Sequence, residues 1–158
     1  MSIAYRPMRA GQEDAVASFI RQIPKDLGLE ITPPITGETL RQWQGEVYVM
    51  TAENAGLLCG ACVWFKTYST WQAAKGAFIS DVFVLGHLRG RGIGTRLLKA
   101  TGREAAKLGA TFLRLDVTKS TPRPRHYYVK LGFRADDDDL TLFLEPHHFN
   151  TFIAEIKS

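Results

Sequence analysis

The chain has 158 residues, a length that suits one domain with a substantial core. Apolar residues at 45% and charged residues at 23% are typical of a soluble globular protein, and no apolar run approaches the ~18 residues of a membrane span. The net charge of +4 is a mild excess along the chain, which suits an anionic small molecule at least as well as nucleic acid.

The N-terminal part of the chain predicts a strand, a helix and a loop. Residues 3–9 alternate weakly between apolar and polar and predict an opening strand. In AVASFIRQI (15–23) apolar residues recur at helical spacing. Residues 24–37 contain three prolines and two glycines, which indicates a loop, and residues 39–43 predict a further helical turn or two.

The middle of the chain predicts a run of strands and then a helix. Residues 46–54 and 57–71 predict a β-hairpin around the tight turn Asn54-Ala55-Gly56. Residues 77–85 predict the next strand, and an amphipathic helical pattern follows from about residue 92 to residue 108.

After that helix, the sequence TFLRLDV (111–117) is strongly apolar and predicts another strand. A short helix is predicted next, with Thr121 as its N-cap and Pro122 at its first position. Gly132 is placed to end this helix.

The C-terminal part carries an acidic run followed by two more predicted elements. Four consecutive aspartates (136–139) precede a predicted strand at 140–145. Pro146 opens a closing helix, and its expected inward residues are Phe149, Phe152 and Ile153.

In chain order these elements predict one mixed α/β domain over residues 1–158. Antiparallel hairpins come first and a strand–helix–strand crossover follows, so antiparallel and parallel pairs share one sheet. The sequence shows no internal repeat, low-complexity tract or linker.

The only two cysteines form the tetrapeptide CGAC, which superficially resembles a redox dithiol. Cys59 and Cys62 lie in an apolar segment that predicts a strand, where residues three apart point to opposite faces. No helical pattern follows to lower a thiolate pKa, and no further cysteine completes a zinc site. We therefore interpret both as small buried apolar residues and expect no metal site.

The segment HLRGRGIGTRLL (87–98) combines glycines and arginines where a predicted strand becomes a predicted helix. A helix N-terminus offers unpaired N–H groups and partial positive charge, glycines let that backbone approach phosphate oxygens, and arginines add charged donors. The pattern favours a bound pyrophosphate. Its spelling fits neither a Walker A loop, since no lysine follows the glycines, nor a dinucleotide fingerprint.

The spacing Arg89-x-x-Gly92-x-Gly94 resembles the acyl-CoA loop of the GNAT acetyltransferase superfamily. Downstream, RHYYVKLGF (125–133) resembles the second signature of that family, and the resemblance extends along almost the whole chain. It implies a mixed central sheet with a splayed central strand pair, flanked by helices, and an acetyl-CoA-dependent N-acetyltransferase. An amine would attack the thioester directly, with no covalent acyl-enzyme.

The resemblance also implies how acetyl-CoA is bound. Pantetheine would lie between the splayed strands against main-chain groups, the glycine–arginine loop would hold the pyrophosphate, and a strand amide would stabilise the thioester carbonyl. The residues implied are Val82, Phe83, Val84, Arg89, Gly90, Arg91, Gly92, Ile93, Gly94, Thr95 and Thr121.

Tyr128 falls where the tyrosine of the family protonates the departing CoA thiolate. A phenol of pKa ~10 can donate to a thiolate of pKa ~8.5. The alternative is a core aromatic role; we favour catalysis for Tyr128 and core packing for Tyr127.

The general base is harder to identify. Polyamine-acetylating relatives carry a Glu–Asp pair at the positions of Ser80 and Asp81. Ser80 replaces the first acid and is expected to order a water molecule. Asp81 is either the base or a structural hydrogen-bonding group, and strand alternation predicts that it faces away from Ser80.

The segment FKTYSTWQAAKGAFISDVFV (65–84) resembles the diamine and thialysine acetyltransferase subgroup, which implies a small polyamine- or lysine-like amine. Glu30 is a candidate partner for that cation, and Trp43, Tyr68 and Trp71 are candidate aromatic walls for it or simply packed side chains. We interpret the acidic run 136–139 as a solvated loop rather than as part of the substrate cleft.

Two alternatives stay open: acetylation of a protein N-terminus or lysine, and a non-catalytic acyl-CoA-binding module, which the serine at position 80 motivates. The chain lacks a basic–aromatic platform, so we expect no nucleic-acid partner. The N-terminus lacks the apolar core of a signal peptide, so we expect a cytoplasmic protein without a membrane partner. The resemblance to the family implies a homodimer.

Overall fold

The computed structural model describes residues 1–120, 122–139, 141–142 and 144–154. The chain divides into two compact units, Met1–Asp116 and Val117–Ser158. Thr121, predicted as an N-cap and an acetyl-CoA contact, lies outside the described residues. The interpretation of residues 1–158 as one domain stays a prediction.

The first unit is built on a five-stranded mixed sheet, as predicted. The strands are β1 (Ile3–Pro7), β2 (Val47–Asn54), β3 (Leu57–Ser69), β4 (Ala74–Val84) and β5 (Phe112–Leu115). They lie in chain order across the sheet; β1 to β4 are antiparallel neighbours, and β5 is parallel to β4. The crossover connection that parallel pairing requires contains the helix between β4 and β5.

Three helices belong to this unit: α1 (Glu13–Asp26), α2 (Gly37–Gln42) and α3 (Ile93–Lys107). A short 3₁₀ turn, Gly86–Leu88, precedes α3. Helix α1 continues past Pro24, where the sequence predicted a loop. Pro24 has no N–H group to donate to the Ile20 carbonyl oxygen, and the helix ends two residues after it.

The helices cover both faces of the sheet. Val16 and Ala17 of α1 pack with Leu40 of α2 against one face, together with Val63 of β3. On the other face lies α3, whose buried residues are Ile93, Leu97, Leu98, Thr101 and Ala105. These residues recur every three or four positions, which is the spacing that the sequence predicted for the apolar stripe of this helix.

The turn between β2 and β3 has the geometry that its sequence predicts. Ala55 and Gly56 have φ angles of 49° and 81°, so both central residues lie in the left-handed region. Positive φ at both positions matches the right-handed twist of the flanking strands, which fixes the register of this hairpin.

The second unit contains α4 (Pro122–Lys130) and α5 (Pro146–Ala154), both at predicted positions. The strand predicted at 140–145 is wrong for the described residues Thr141, Leu142, Leu144 and Glu145, which adopt no regular structure. Leu140 and Phe143 lie outside the described residues. Alternating side chains suit a strand but do not supply the neighbour that must pair its backbone.

The inward residues predicted for α5 are wrong as well. Phe149, Phe152 and Ile153 are 49%, 68% and 48% exposed. Their spacing is helical, but spacing alone does not provide a surface against which the apolar face packs. Among the described helices, none has the length and apolar composition needed to cross a membrane.

Both cysteines are buried free thiols, which confirms their interpretation as small apolar residues. Burial raises the pKa of Cys62 to about 12 and also raises the pKa of Cys59. The Cys59 thiol donates to the Ala52 carbonyl oxygen at 3.3 Å. Neither thiol is therefore available as a thiolate near neutral pH.

We predict that an aromatic disulfide reagent will release almost no chromophore from the native protein at pH 8, because both thiols are buried and protonated. Two equivalents per chain are expected after unfolding in guanidinium chloride, since the sequence holds two cysteines. Rapid modification of either cysteine in the native protein, at the rate of a free thiol, would contradict this prediction.

Candidate active site

Strand β4 is paired unequally on its two sides. It pairs with β3 from end to end, but it pairs with β5 only through Gly76–Ile79 against Phe112–Leu115. Beyond Ile79 the C-terminal part of β4 therefore has no β5 residue beside it. Within the described part of the chain no strand pairs with this side of β4 beyond Ile79, so the strand has an open edge there, while the splay of the central strand pair stays a prediction.

A β-bulge lies where the pairing with β5 ends. Val63 pairs with Asp81 and Trp64 pairs with Ile79, so Ser80 is an extra residue on β4. A bulge bends its strand and interrupts the alternation of side chains. The Ser80 hydroxyl donates to the Asp81 carboxylate at 2.9 Å, so the prediction that these two side chains face apart is wrong.

The main-chain groups at the open edge belong to Val82 and Val84. The Leu85 amide donates to the Cys59 carbonyl oxygen at 2.9 Å, which makes this a hydrogen-bonded pair of the β3–β4 ladder. Because such pairs alternate in antiparallel strands, Phe83 also points its main chain toward β3, whereas Val82 and Val84 point theirs outward. Of the three predicted pantetheine contacts on β4, the geometry suits Val82 and Val84 and does not suit Phe83.

The glycine of the CGAC tetrapeptide explains how closely β3 approaches this part of β4. A Cβ atom at Gly60 would lie 2.8 Å from the Phe83 carbonyl oxygen, which is too short for a carbon atom to occupy. Gly60 therefore has a packing role opposite Val84, its partner in register.

The loop that follows β4 leads into α3, and the N-terminus of this helix has no side-chain cap. Gly90 and Gly92 have φ angles of 75° and 76°, and Gly92 is the N-cap of α3 without a side-chain hydrogen bond. No acidic residue lies in the first turn, and a Cβ at either glycine would meet nothing within 4 Å. The N-terminus of α3, which includes Ile93, Gly94 and Thr95, thus offers backbone N–H groups and an open, glycine-lined approach to an anion.

The two arginines of this loop differ in their surroundings. The Arg89 Nε atom donates to the Val84 carbonyl oxygen at 2.8 Å, and its guanidinium also pairs with Asp26 and lies 5.6 Å from the centre of the Phe83 ring. Arg91 is exposed and makes no ion pair within the described part of the chain. Arg91 is therefore the loop arginine available to an anion. No local pattern in the sequence predicts the contact between Arg89 and Asp26, which are separated by 63 positions.

Asp81 has the electrostatic character of a base. Its side chain is partly buried, and burial raises the pKa of the carboxyl group, while the hydrogen bond from Ser80 opposes that shift. It directly precedes Val82 at the open edge. A carboxylate of raised pKa at this position is suited to accept a proton from an ammonium group.

Tyr128 lies on α4 in the second unit. Its ring meets the ring of Tyr127 edge-on, with centroids 5.1 Å apart, and the ring of Phe133, with centroids 5.5 Å apart. Tyr127, which was expected to be packed, is 37% exposed and is the more exposed of the two tyrosines. The assignment of Tyr128 as the proton donor stays a prediction.

The acidic run is solvated and partly neutralised, in agreement with its interpretation as a loop. Arg134 pairs with Asp136 at 3.1 Å, and Arg125 pairs with Asp137 at 2.8 Å. Asp138 and Asp139 are exposed. Within the described residues no group of three or more histidine, cysteine, aspartate or glutamate side chains is arranged to hold a metal ion.

The candidate aromatic walls on the β3–β4 hairpin lie at the wrong end of the sheet for this site. Tyr68 pairs with Lys75 near the start of β4, and Trp71 is fully exposed in the connecting turn. Val84 lies at the other end of β4, about 30 Å away for a strand of this length. These two side chains therefore do not wall an amine beside Val82 of the same chain.

Comparison with known proteins identifies relatives along much of the chain. The thialysine N-epsilon-acetyltransferase of Mus musculus is 30% identical over 88 residues, which cover 55% of this chain and 51% of the relative. The chain therefore spans about half the length of that curated relative. The enzyme of the same name from Sus scrofa is 29% identical over 145 residues, covering 84% of this chain and 85% of the relative.

The fold is shared with solved acetyltransferase structures. A possible acetyltransferase from Clostridium difficile 630 superposes with a TM-score of 0.78 over 93% of this chain and 100% of that protein, at 18% sequence identity. The model of the Acetyltransferase (GNAT) family matches residues 17–133, which include most of α1, the open edge of β4, the glycine–arginine loop and α4. The chain belongs to the Acetyltransferase (GNAT) family.

Proposed function

We propose that this protein transfers the acetyl group of acetyl-CoA to a primary amine on a small polyamine- or lysine-like molecule. The observation that carries the proposal is the open edge of β4 at Val82 and Val84, which leads directly into the uncapped, glycine-lined N-terminus of α3. An extended ligand with a pyrophosphate at one end suits this combination of a strand edge and an anion site. The relatives named thialysine N-epsilon-acetyltransferase support the choice of amine.

The pyrophosphate and the pantetheine of acetyl-CoA each have matching groups in the first unit. The pyrophosphate would accept hydrogen bonds from the N–H groups of Ile93 and Gly94 at the start of α3, with Arg91 beside them. The amide groups of pantetheine would pair with the outward main chain of Val82 and with the outward N–H group of Val84, whose carbonyl oxygen accepts from Arg89. Main-chain recognition of this kind depends on the fold rather than on side chains, so it does not restrict the amine.

The chemistry needs a base that deprotonates the ammonium group and an acid that protonates the departing thiolate, and Asp81 and Tyr128 are the residues assigned to these roles. Acetyl-CoA supplies a thioester carbonyl when bound. Asp81 removes one proton from the ammonium group; the amine nitrogen then forms a bond to the carbonyl carbon and loses a second proton to solvent as the carbon–sulfur bond breaks. Tyr128 donates its phenolic proton to the thiolate and is reprotonated from solvent, so the products are the acetylated amine and CoA.

We also propose that the protein is a homodimer and that it is located in the cytoplasm. The likeness to a family whose members often dimerise supports the dimer. The two free, buried thiols support the location, because unpaired cysteines are usual in a reducing compartment.

We predict that acetyl-CoA will raise the Tm of the purified protein and that S-acetylpantetheine, which lacks the pyrophosphate, will bind much more weakly. A ligand at 100 times its Kd stabilises the native state by about 2.7 kcal/mol, which is readily measured.

Mixing the protein and acetyl-CoA with a panel of polyamines, lysine and thialysine should release CoA, detected as free thiol. The variant Tyr128→Phe should lower kcat, while Tyr127→Phe should not.

Three outcomes separate the hypotheses. The absence of a Tm shift with acetyl-CoA would exclude both the enzyme and the acyl-CoA-binding module. Tight binding without turnover on any amine of the panel would favour the non-catalytic module. Turnover confined to peptides with a free N-terminus or lysine would replace the small amine by a protein acceptor.

Asp81 yields a prediction in which activity and stability change in opposite directions. Asp81→Asn should lower kcat/KM by about 10²- to 10⁴-fold, the range for loss of a general base. The same variant should have a higher Tm than the wild type at pH 7, because the raised pKa means that the ionised carboxylate is less stable in the folded state than in water. Below the ordinary pKa of 3.8, where Asp81 is protonated in both states, the stability gain should vanish.

Ser80→Ala is the matched control for this experiment. The hydroxyl of Ser80 lowers the pKa of Asp81, so its removal should shift the acid limb of the pH–rate profile to higher pH and leave the activity at high pH largely intact. If Asp81→Asn keeps full activity across the pH range, Asp81 is not the base and its role is structural.

A further inference from the structure

Asp26, the last residue of α1, connects this helix to the loop that follows β4. One oxygen of its carboxylate accepts a hydrogen bond from the Arg89 guanidinium, and the other accepts one from the Gln22 side-chain amide at 3.0 Å. These two hydrogen bonds lower the pKa of Asp26, so the carboxylate is ionised at neutral pH. Asp26 is thus held in place from its own helix while it holds Arg89.

Arg89 is fixed from two further directions. Its Nε atom donates to the Val84 carbonyl oxygen at 2.8 Å, and its guanidinium lies over the Phe83 ring. Phe83 in turn stacks on Phe19 of α1, with ring centroids 4.7 Å apart. Phe19, Gln22 and Asp26 share one side of α1 because they are spaced by three and four residues. The end of β4 and the start of the loop are therefore fastened to one side of one helix.

The negative charge of Asp26 indicates that this residue does not act by attracting the pyrophosphate. A carboxylate beside a loop that binds a pyrophosphate opposes that binding through simple Coulomb repulsion. An isolated ion pair on a protein surface also adds little stability. The position of Asp26 is accounted for if its main effect is to orient Arg89, and through Arg89 the loop.

The two glycines of the loop make it costly in conformational entropy to order. Gly90 and Gly92, with no side chains, lose more backbone freedom on ordering than any other residue type. An anchor directly before them restricts the loop before the ligand arrives, and a preformed loop binds its ligand at a lower entropic cost.

We propose that Asp26 is a positioning residue for acyl-CoA: it holds Arg89 against the end of β4, so that the loop from Gly90 to Gly92 is preformed for the pyrophosphate. In this arrangement Arg89 holds the loop in its binding conformation, and the backbone N–H groups and Arg91 contact the anion. The inference rests on the proposed acetyl-CoA site.

The effect of Asp26→Ala on the affinity for acetyl-CoA distinguishes a positioning role from a purely electrostatic one, because the two predict changes in opposite directions. Asp26→Ala should weaken acetyl-CoA binding by about five- to thirtyfold in isothermal titration calorimetry, which lies within the range for residues coupled through one hydrogen-bond network. Loss of a nearby negative charge would by itself tighten the binding of an anion. Asp26→Asn, which keeps an acceptor oxygen for Arg89, should fall between the wild type and Asp26→Ala and guards against a folding defect in the alanine variant.

The control variant is Asp14→Asn, which removes the same charge from the opposite end of α1 and should leave the Kd nearly unchanged. In an Arg89→Ala background, Asp26→Ala should have no further weakening effect, because its action passes through Arg89. Tighter binding by Asp26→Ala, or an equal loss in both backgrounds, would overturn the inference. Failure of the wild type to bind acetyl-CoA would instead overturn the proposed function, so the two failures are distinguishable.

Discussion

The unequal pairing of β4 is the constraint on which the rest of this structure depends. On one side β3 holds the whole strand in register, so its path is fixed; on the other side β5 leaves it after Ile79. The bulge at Ser80 lies at that point, and the residues that follow it stay paired with β3. An edge with unmet hydrogen-bonding groups is usually a liability, but inside a fold it is a ready partner for an extended ligand.

The surroundings of that edge favour an anion at one end and a cation at the other. At the start of α3 the helix dipole, the unpaired N–H groups and Arg91 suit a pyrophosphate. At the bulge, the partly buried Asp81 carboxylate suits an ammonium group. Along the chain, residues 82–84 of β4 and the loop of residues 85–92 join the two ends. This is the arrangement that the proposed acetyl transfer requires.

Most elements of the first unit could be predicted from the sequence, because each has a local signal: the period of apolar residues in α3, or the positive φ that Gly56 permits. The features that depend on two distant segments could not. The bulge at Ser80 arises from pairing with β3, and the contact between Asp26 and Arg89 joins residues far apart in the chain. In the second unit the alternation at 140–145 resembled a strand, but alternation carries no information about a pairing partner.

Amide hydrogen exchange of Val82 tests the central claim most directly. Its N–H group points away from β3, so we expect it to exchange quickly in the free protein and at least about tenfold more slowly with saturating acetyl-CoA, once a ligand group accepts from it. The amide of Phe83, which points toward β3, should be protected in both states. Equal exchange of the Val82 amide with and without bound acetyl-CoA would contradict the account of the open edge as the binding site.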